Sequence, residues 1–116
     1  MLFRSATGPT GATSVNETVA TSAGASLAIT TNVQVRPDST ADARALCELT
    51  LDGVVLDLQD VTVPPGVSTT GGQTITTVGT ETATGPGLVR LQCSANDPDV
   101  TFSDVRIQAI EVDAFN

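Results

Sequence analysis

The sequence contains no histidine, lysine, tyrosine or tryptophan. Without histidine there is no general base with an ordinary pKa near neutrality, no Ser-His or Cys-His nucleophile pair and no imidazole for zinc. Without lysine there is no Schiff-base amine. The catalysis left open is carboxylate chemistry, with a pair among Asp57, Asp60, Asp97, Asp99 and Asp104 acting as glycosidase acid and nucleophile. Sugar-cleaving sites also favour aromatic platforms, and this chain has only Phe3, Phe102 and Phe115. The residue types therefore point away from an enzyme, and no cofactor motif is present.

Positive charge is equally scarce. Arg4, Arg36, Arg44, Arg90 and Arg106 stand against 13 Asp and Glu, for a formal net charge of -8. Affinity for phosphate backbones comes from clustered Lys and Arg, so nucleic acid is excluded as an expected partner, and anionic membrane surfaces are disfavoured likewise. No apolar run approaches the ~20 residues of a membrane span. Met1 to Arg4 passes at once into small polar residues, without the apolar region of a signal peptide. Leu2-Phe3-Arg4-Ser5 is also what the end of a common sequencing adapter encodes in one frame, so a longer form of the gene is expected to differ there.

What is present reads as strands. From Ser5 to about Gly24 the chain is Thr, Ser, Ala and Gly with few large apolar residues, and residues 1–24 read as a low-complexity tether, disordered or extended. Within it Gly8-Pro9-Thr10-Gly11-Ala12-Thr13 makes two Gly-X-Y triplets, the repeat of the collagen triple helix. Residues 25–116 read as one domain, the length allowing a single core. Leu27, Ile29, Thr31, Val33 and Val35 alternate with polar residues as in a half-buried strand, which Pro37-Asp38-Ser39-Thr40 ends with turn chemistry. Ala45 to Leu51, Asp52-Gly53 and Val54 to Gln59 form a β-hairpin with a two-residue turn. Pairing residue 51 with 54 puts Cys47, Leu49, Leu51, Val54, Leu56 and Leu58 on one face.

Further strands follow at about Gln73 to Thr80 and from Leu88 to Cys93, where Val89, Leu91 and Cys93 alternate inward. In the last strand the apolar phase passes from Val105, Ile107 and Ala109 to Ile110, Val112 and Ala114, which predicts a bulge there. Short strands separated by turns, with no helical periodicity, predict an all-β fold: an antiparallel two-sheet β-sandwich, jelly-roll-like.

Cys47 and Cys93 both point inward on this reading and can pair in only one way. As a disulfide they would close a loop of about 45 residues, contributing roughly 4 kcal/mol in the chain-entropy model; the alternative is two buried reduced thiols. A disulfide in a chain without lysine and rich in Thr, Ser, Gly and Ala fits an extracellular or cell-surface location.

Cys47-Glu48-Leu49-Thr50-Leu51-Asp52-Gly53, Gly87 to Cys93 and Ile107 to Val112 resemble β-sandwich modules of actinobacterial secreted proteins. Some bacterial surface proteins carry Gly-X-Y stalks, and Gly8 to Thr13 resembles the last triplets of one. The resemblance implies the head module of a longer collagen-like parent, self-associating as a trimer.

Leu46, Val55 and Leu88 fall on the face opposite the core, which makes them a candidate subunit interface; a loop or a different register would also cover them. Asn96, Asp97, Asp99 and Asp104 offer oxygen ligands of the kind calcium prefers, but without EF-hand spacing, and Asn-Asp-Pro-Asp is also an ordinary turn; no metal site is assigned. The expected function is a non-catalytic structural or adhesive head acting in assembly or attachment. The alternative is a carbohydrate- or calcium-dependent binding module using Asp57 to Asp60 and Asn96 to Asp104.

Overall fold

A computed structural model of the chain describes residues 2–8, 13–37, 43–63, 73–96 and 100–112. Among the described residues there are eight strands: β1 Leu2–Thr7, β2 Val15–Ala20, β3 Ser26–Pro37, β4 Ala43–Leu51, β5 Val54–Val63, β6 Gln73–Thr82, β7 Leu88–Ala95 and β8 Val100–Val112. They form two four-stranded antiparallel sheets, ordered β1-β8-β3-β6 and β2-β7-β4-β5. Apart from the β4–β5 hairpin, successive strands alternate between the facing sheets, which is the jelly-roll-like sandwich predicted from the strand spacing.

The core lies between the sheets and follows the alternation of each strand. Leu27, Ile29, Val33 and Val35 of β3 meet Leu49, Leu51, Val89 and Leu91 of the opposite sheet, with Phe102, Val105 and Ile107 of β8 filling the middle. Thr31 occupies an inward position of β3 and is buried because its hydroxyl bonds that of buried Thr77 on β6, which removes the penalty of an unpaired polar group. Cys47 and Cys93 are both buried, sit opposite one another on neighbouring strands β4 and β7, and form a disulfide.

The Asp52-Gly53 hairpin pairs Leu51 with Val54 as expected. Both turn residues have positive φ, 51° and 85°, which is what a type I′ turn requires. Asp52 tolerates it because its carboxylate accepts the Gly85 and Leu88 N–H groups at 3.0 and 2.9 Å, tying the hairpin to the loop before β7.

Four details differ from the sequence reading. Residues 1–24 do not stay apart from the domain: β1 pairs with β8 along Leu2 to Thr7, and β2 pairs with β7 along Val15 to Ala20. These edge strands are held by backbone hydrogen bonds to a neighbouring strand, and of β2 Val15 is fully buried. Of the Gly-X-Y run, Pro9 to Ala12 lie outside the described residues.

Second, β4 and β5 slip register between Leu49 and Thr50, so Leu56 becomes the extra residue of a bulge. One residue of slip inverts the faces beyond it. Leu58 is therefore exposed rather than inward, while Asp57 and Gln59 are half-buried. Third, Val54 is exposed at the hairpin's end despite its inward phase. Fourth, β8 has its bulge not at Ala109–Ile110 but where Asn32 pairs with Arg106 and Gln34 with Ser103, leaving Asp104 with a φ of 52°. Beyond it the inward phase continues through Ala109 to buried Glu111, and Ile110 and Val112 are half-buried on the outer side.

Leu56 reaches into the seam between the edge strands β5 and β6, where it lies over Gly79. A Cβ on Gly79 would meet Leu56 Cδ1 at 2.9 Å, Leu56 Cβ at 3.1 Å and Leu49 Cδ2 at 3.3 Å. Gly79→Ala is expected to cost about 1–3 kcal/mol of unfolding free energy by overpacking, read as a lower urea midpoint at unchanged slope.

Candidate functional site

The candidate interface residues Leu46, Val55 and Leu88 are all exposed, at 39%, 52% and 42%. They do not make one patch. Leu46 pairs with Ser94, six positions along β7 from Leu88, so the register separates the two leucines by roughly 20 Å at the usual strand rise. Val55 belongs instead with residues across the β5–β6 seam: together with Leu56, Val78 and Gly79 it lines an open groove of about 610 Å³ that continues onto Ala28 and Thr30 of β3. Val54, Leu58 and Val78 are also more than half exposed. The resulting strip is apolar in its middle and acidic at its margins. Asp57 Oδ2 accepts the Val78 N–H at 3.1 Å, and Glu81 Oε1 accepts the Thr82 N–H at 3.0 Å. Val78 escaped the sequence reading because only the pairing of two non-consecutive edges places it beside Val55.

The carboxylates considered for catalysis or calcium are dispersed. Asp57 turns toward β6, bonding Val78 as above and Gln59 Nε2 at 3.2 Å, while Asp60 forms an ion pair with Arg44. Being three apart in one strand, Asp57 and Asp60 lie on opposite sides of β5 and cannot flank one bond. Asn96 is occupied: its Oδ1 accepts the Arg44 N–H at 2.9 Å and its own N–H donates to Arg44 O at 3.1 Å. Asp97 and Asp99 lie outside the described residues. Among the described residues no three His, Cys, Asp or Glu side chains converge as a metal site.

Asp104 is placed differently. The bulge of β8 turns it onto the outer face of the β1-β8-β3-β6 sheet, where Asn32, Val33, Gln34, Thr74, Asp104 and Arg106 line a depression of about 350 Å³. Asn32 is held by a 2.9 Å hydrogen bond from the Thr76 hydroxyl to its Oδ1. Only Asp104 was singled out from sequence as a ligand-binding residue; its neighbours come from β3, β6 and the far side of the bulge.

Among the described residues one ionisable group is buried. Glu111 is 8% exposed at the inner end of β8, its Oε1 accepting the Ser22 N–H at 2.6 Å. Its Oε2 has no hydrogen-bond partner and faces Arg4 Nε at 3.8 Å. Hydrogen bonding from Ser22, with Arg4 nearby, holds this carboxyl below the ordinary value of 4.5 against the upward push of burial. It thus pins β1 and the loop before β3 to β8.

No protein-family profile and no curated protein matches the chain. Solved structures do. Part of the dimeric latent PorU of Porphyromonas gingivalis superposes with a TM-score of 0.64 at 9% identity, covering 89% of this chain and 10% of that one. The T13 IBDV viral particle superposes with a TM-score of 0.60 at 8% identity, covering 95% of this chain and 31% of that one. A CBM35 from Cellvibrio japonicus Abf62 gives a TM-score of 0.47 at 20% identity over 90% of this chain and 74% of that one. The chain therefore spans a tenth to a third of the first two proteins. At such identities the likeness is one of fold: a two-sheet β-sandwich.

Glu111 makes a pH prediction with a definite sign. Because its folded-state value is lowered, its contribution is complete above the unfolded value of 4.5 and is lost as pH falls through the lower folded value. Melting temperature should fall in that window for the wild type and fall less steeply for Glu111→Gln. Parallel pH profiles for the two proteins would assign the acid sensitivity to other carboxylates.

Proposed function

We propose that this chain is a non-catalytic structural or adhesive head domain of an extracellular, collagen-like surface protein, acting in assembly or attachment. The observation that carries the reading is the apolar groove across the β5–β6 seam, where Val55 and Val78 are each more than half exposed beside Leu56 and Gly79, with Val54 and Leu58 also exposed on β5. Apolar side chains grouped in this way mark a surface that another protein covers.

The partner proposed is a second copy of the chain. The Gly-X-Y triplets from Gly8 to Thr13 fall between β1 and β2 of the head itself, so the self-association proposed, trimeric in the simplest case, rests on the seam. Asp57 and Glu81 occupy edge N–H groups of β6, so contact through side chains is favoured over addition of a strand. The Cys47–Cys93 disulfide supports an extracellular setting, since such bonds persist in oxidising compartments. The non-catalytic part of the reading rests on the missing histidine and lysine and on the separation of Asp57 from Asp60.

Sedimentation velocity from micromolar to millimolar protein tests the proposal. The wild type should form a discrete oligomer, and Val55→Thr combined with Val78→Thr should shift it to monomer while leaving the melting temperature nearly unchanged. A wild-type chain that stays monomeric at millimolar concentration overturns the assembly reading.

A further inference from the structure

The depression at the β8 bulge shares no lining residue with the seam groove. A sheet face covered by alternating side chains is normally shallow, but here two residues of β8, Asp104 and Val105, stand opposite the single residue Val33. That mismatch opens the depression of about 350 Å³ between β8, β3 and β6, a volume at the small-ligand end of known binding sites. Asp104 has a positive φ, uncommon outside glycine, and is exposed at the lining of the depression.

Its lining has a particular chemistry. Asp104 offers two acceptor oxygens and Arg106 a planar fork of donors, and Gln34 and Asn32 contribute amides that both donate and accept. Asp104 and Arg106 stand two apart on one strand, yet no ion pair joins them. Among the described residues the side chains of Asp104, Arg106 and Gln34 have no hydrogen-bond partner, and Asn32 spends only its carbonyl oxygen on Thr76. The charges cancel, so the depression does not select an anion or a cation. Interleaved donors and acceptors without net charge match a neutral polyol: a carboxylate can accept from two adjacent hydroxyls while a guanidinium donates to two adjacent oxygens.

We infer that this depression is a binding site for the vicinal hydroxyls of a neutral sugar, with Asp104, Arg106 and Gln34 as its contact residues. No aromatic ring lines it, so a sugar is held by its hydroxyl edge alone and the affinity of one site is weak, on the millimolar scale. Repetition of the site in an oligomer would raise the effective affinity by avidity. The depression lies farther along the β3–β6 pair than the seam groove and is lined by different residues, so the inference does not rest on self-association.

The test is amide chemical-shift titration of the full chain with methyl α-mannoside, methyl β-glucoside and methyl β-galactoside, each to about 100 mM, well above a millimolar dissociation constant. At least one glycoside should shift saturably the amides of Asn32 to Gln34, Thr74 and Asp104 to Arg106, together with the Arg106 Nε–H and Gln34 side-chain signals. Arg106→Gln and Asp104→Asn, the latter chosen because asparagine also tolerates positive φ, should each weaken that binding at least about tenfold, with the remaining spectrum unchanged. Arg90→Gln, on the other sheet, should bind as the wild type does. The site is overturned if no glycoside produces saturable shifts, if the shifts map elsewhere, if both Arg106→Gln and Asp104→Asn bind normally, or if sodium glucuronate binds more tightly than methyl β-glucoside.

Discussion

The fold depends on the register of β4 against β7, the two inner strands of one sheet. Those strands are far apart in sequence, the Cys47–Cys93 bridge joining residues separated by 46 positions, and a slip of one residue would turn every apolar side chain of either strand to the wrong face. The core has little to spare for correcting such an error. Its large buried members are aliphatic apart from Phe102, and the jelly roll brings together strands from both halves of the chain. A covalent link between opposite residues fixes this register outright. Leu49 then faces Leu91, Ala45 faces Ala95, and β2 and β5 add to an established pair.

The edges are governed by a different constraint. Two open sheets leave four edge strands, and exposed edges invite pairing with other chains. Here an acidic composition serves the purpose locally as well as globally. Asp57 and Glu81 occupy N–H groups of β6, and Asp52 takes two N–H groups of the segment leading into β7. Carboxylates that read in the sequence as surface charge are therefore partly structural, and the net charge of -8 keeps copies apart wherever no apolar strip opposes it.

The alternation of β3, the type I′ hairpin and the inward aim of both cysteines were legible because each depends on local periodicity or turn chemistry. The two N-terminal strands were not legible. Leu2 to Thr7 and Val15 to Ala20 lack a sustained alternating apolar signal, and their pairing with β8 and β7 is set by partners late in the chain. Both bulges were missed or misplaced for a related reason. The bulged Leu56 lies against Gly79 across the seam, a contact that the sequence does not announce, and Glu111 interrupts the apolar phase of β8 without ending its inward alternation. The depression around Asp104 follows from the second bulge, so Arg106, Gln34 and Asn32 could not be grouped before the pairing of β3 with β8 was known.

These features make one claim about the molecule: all eight strands, including the two contributed by residues 1–24, belong to a single sandwich centred on the β4–β7 pair. Native-state amide hydrogen exchange of the oxidised protein tests it most directly. Protection should be greatest in β3, β4, β7 and β8, and the inter-strand amides of Val15 to Ala20 should exchange far more slowly than free peptide. Exchange at Val15 to Ala20 at the rate of an unstructured chain, with the remaining strands protected, would contradict the account.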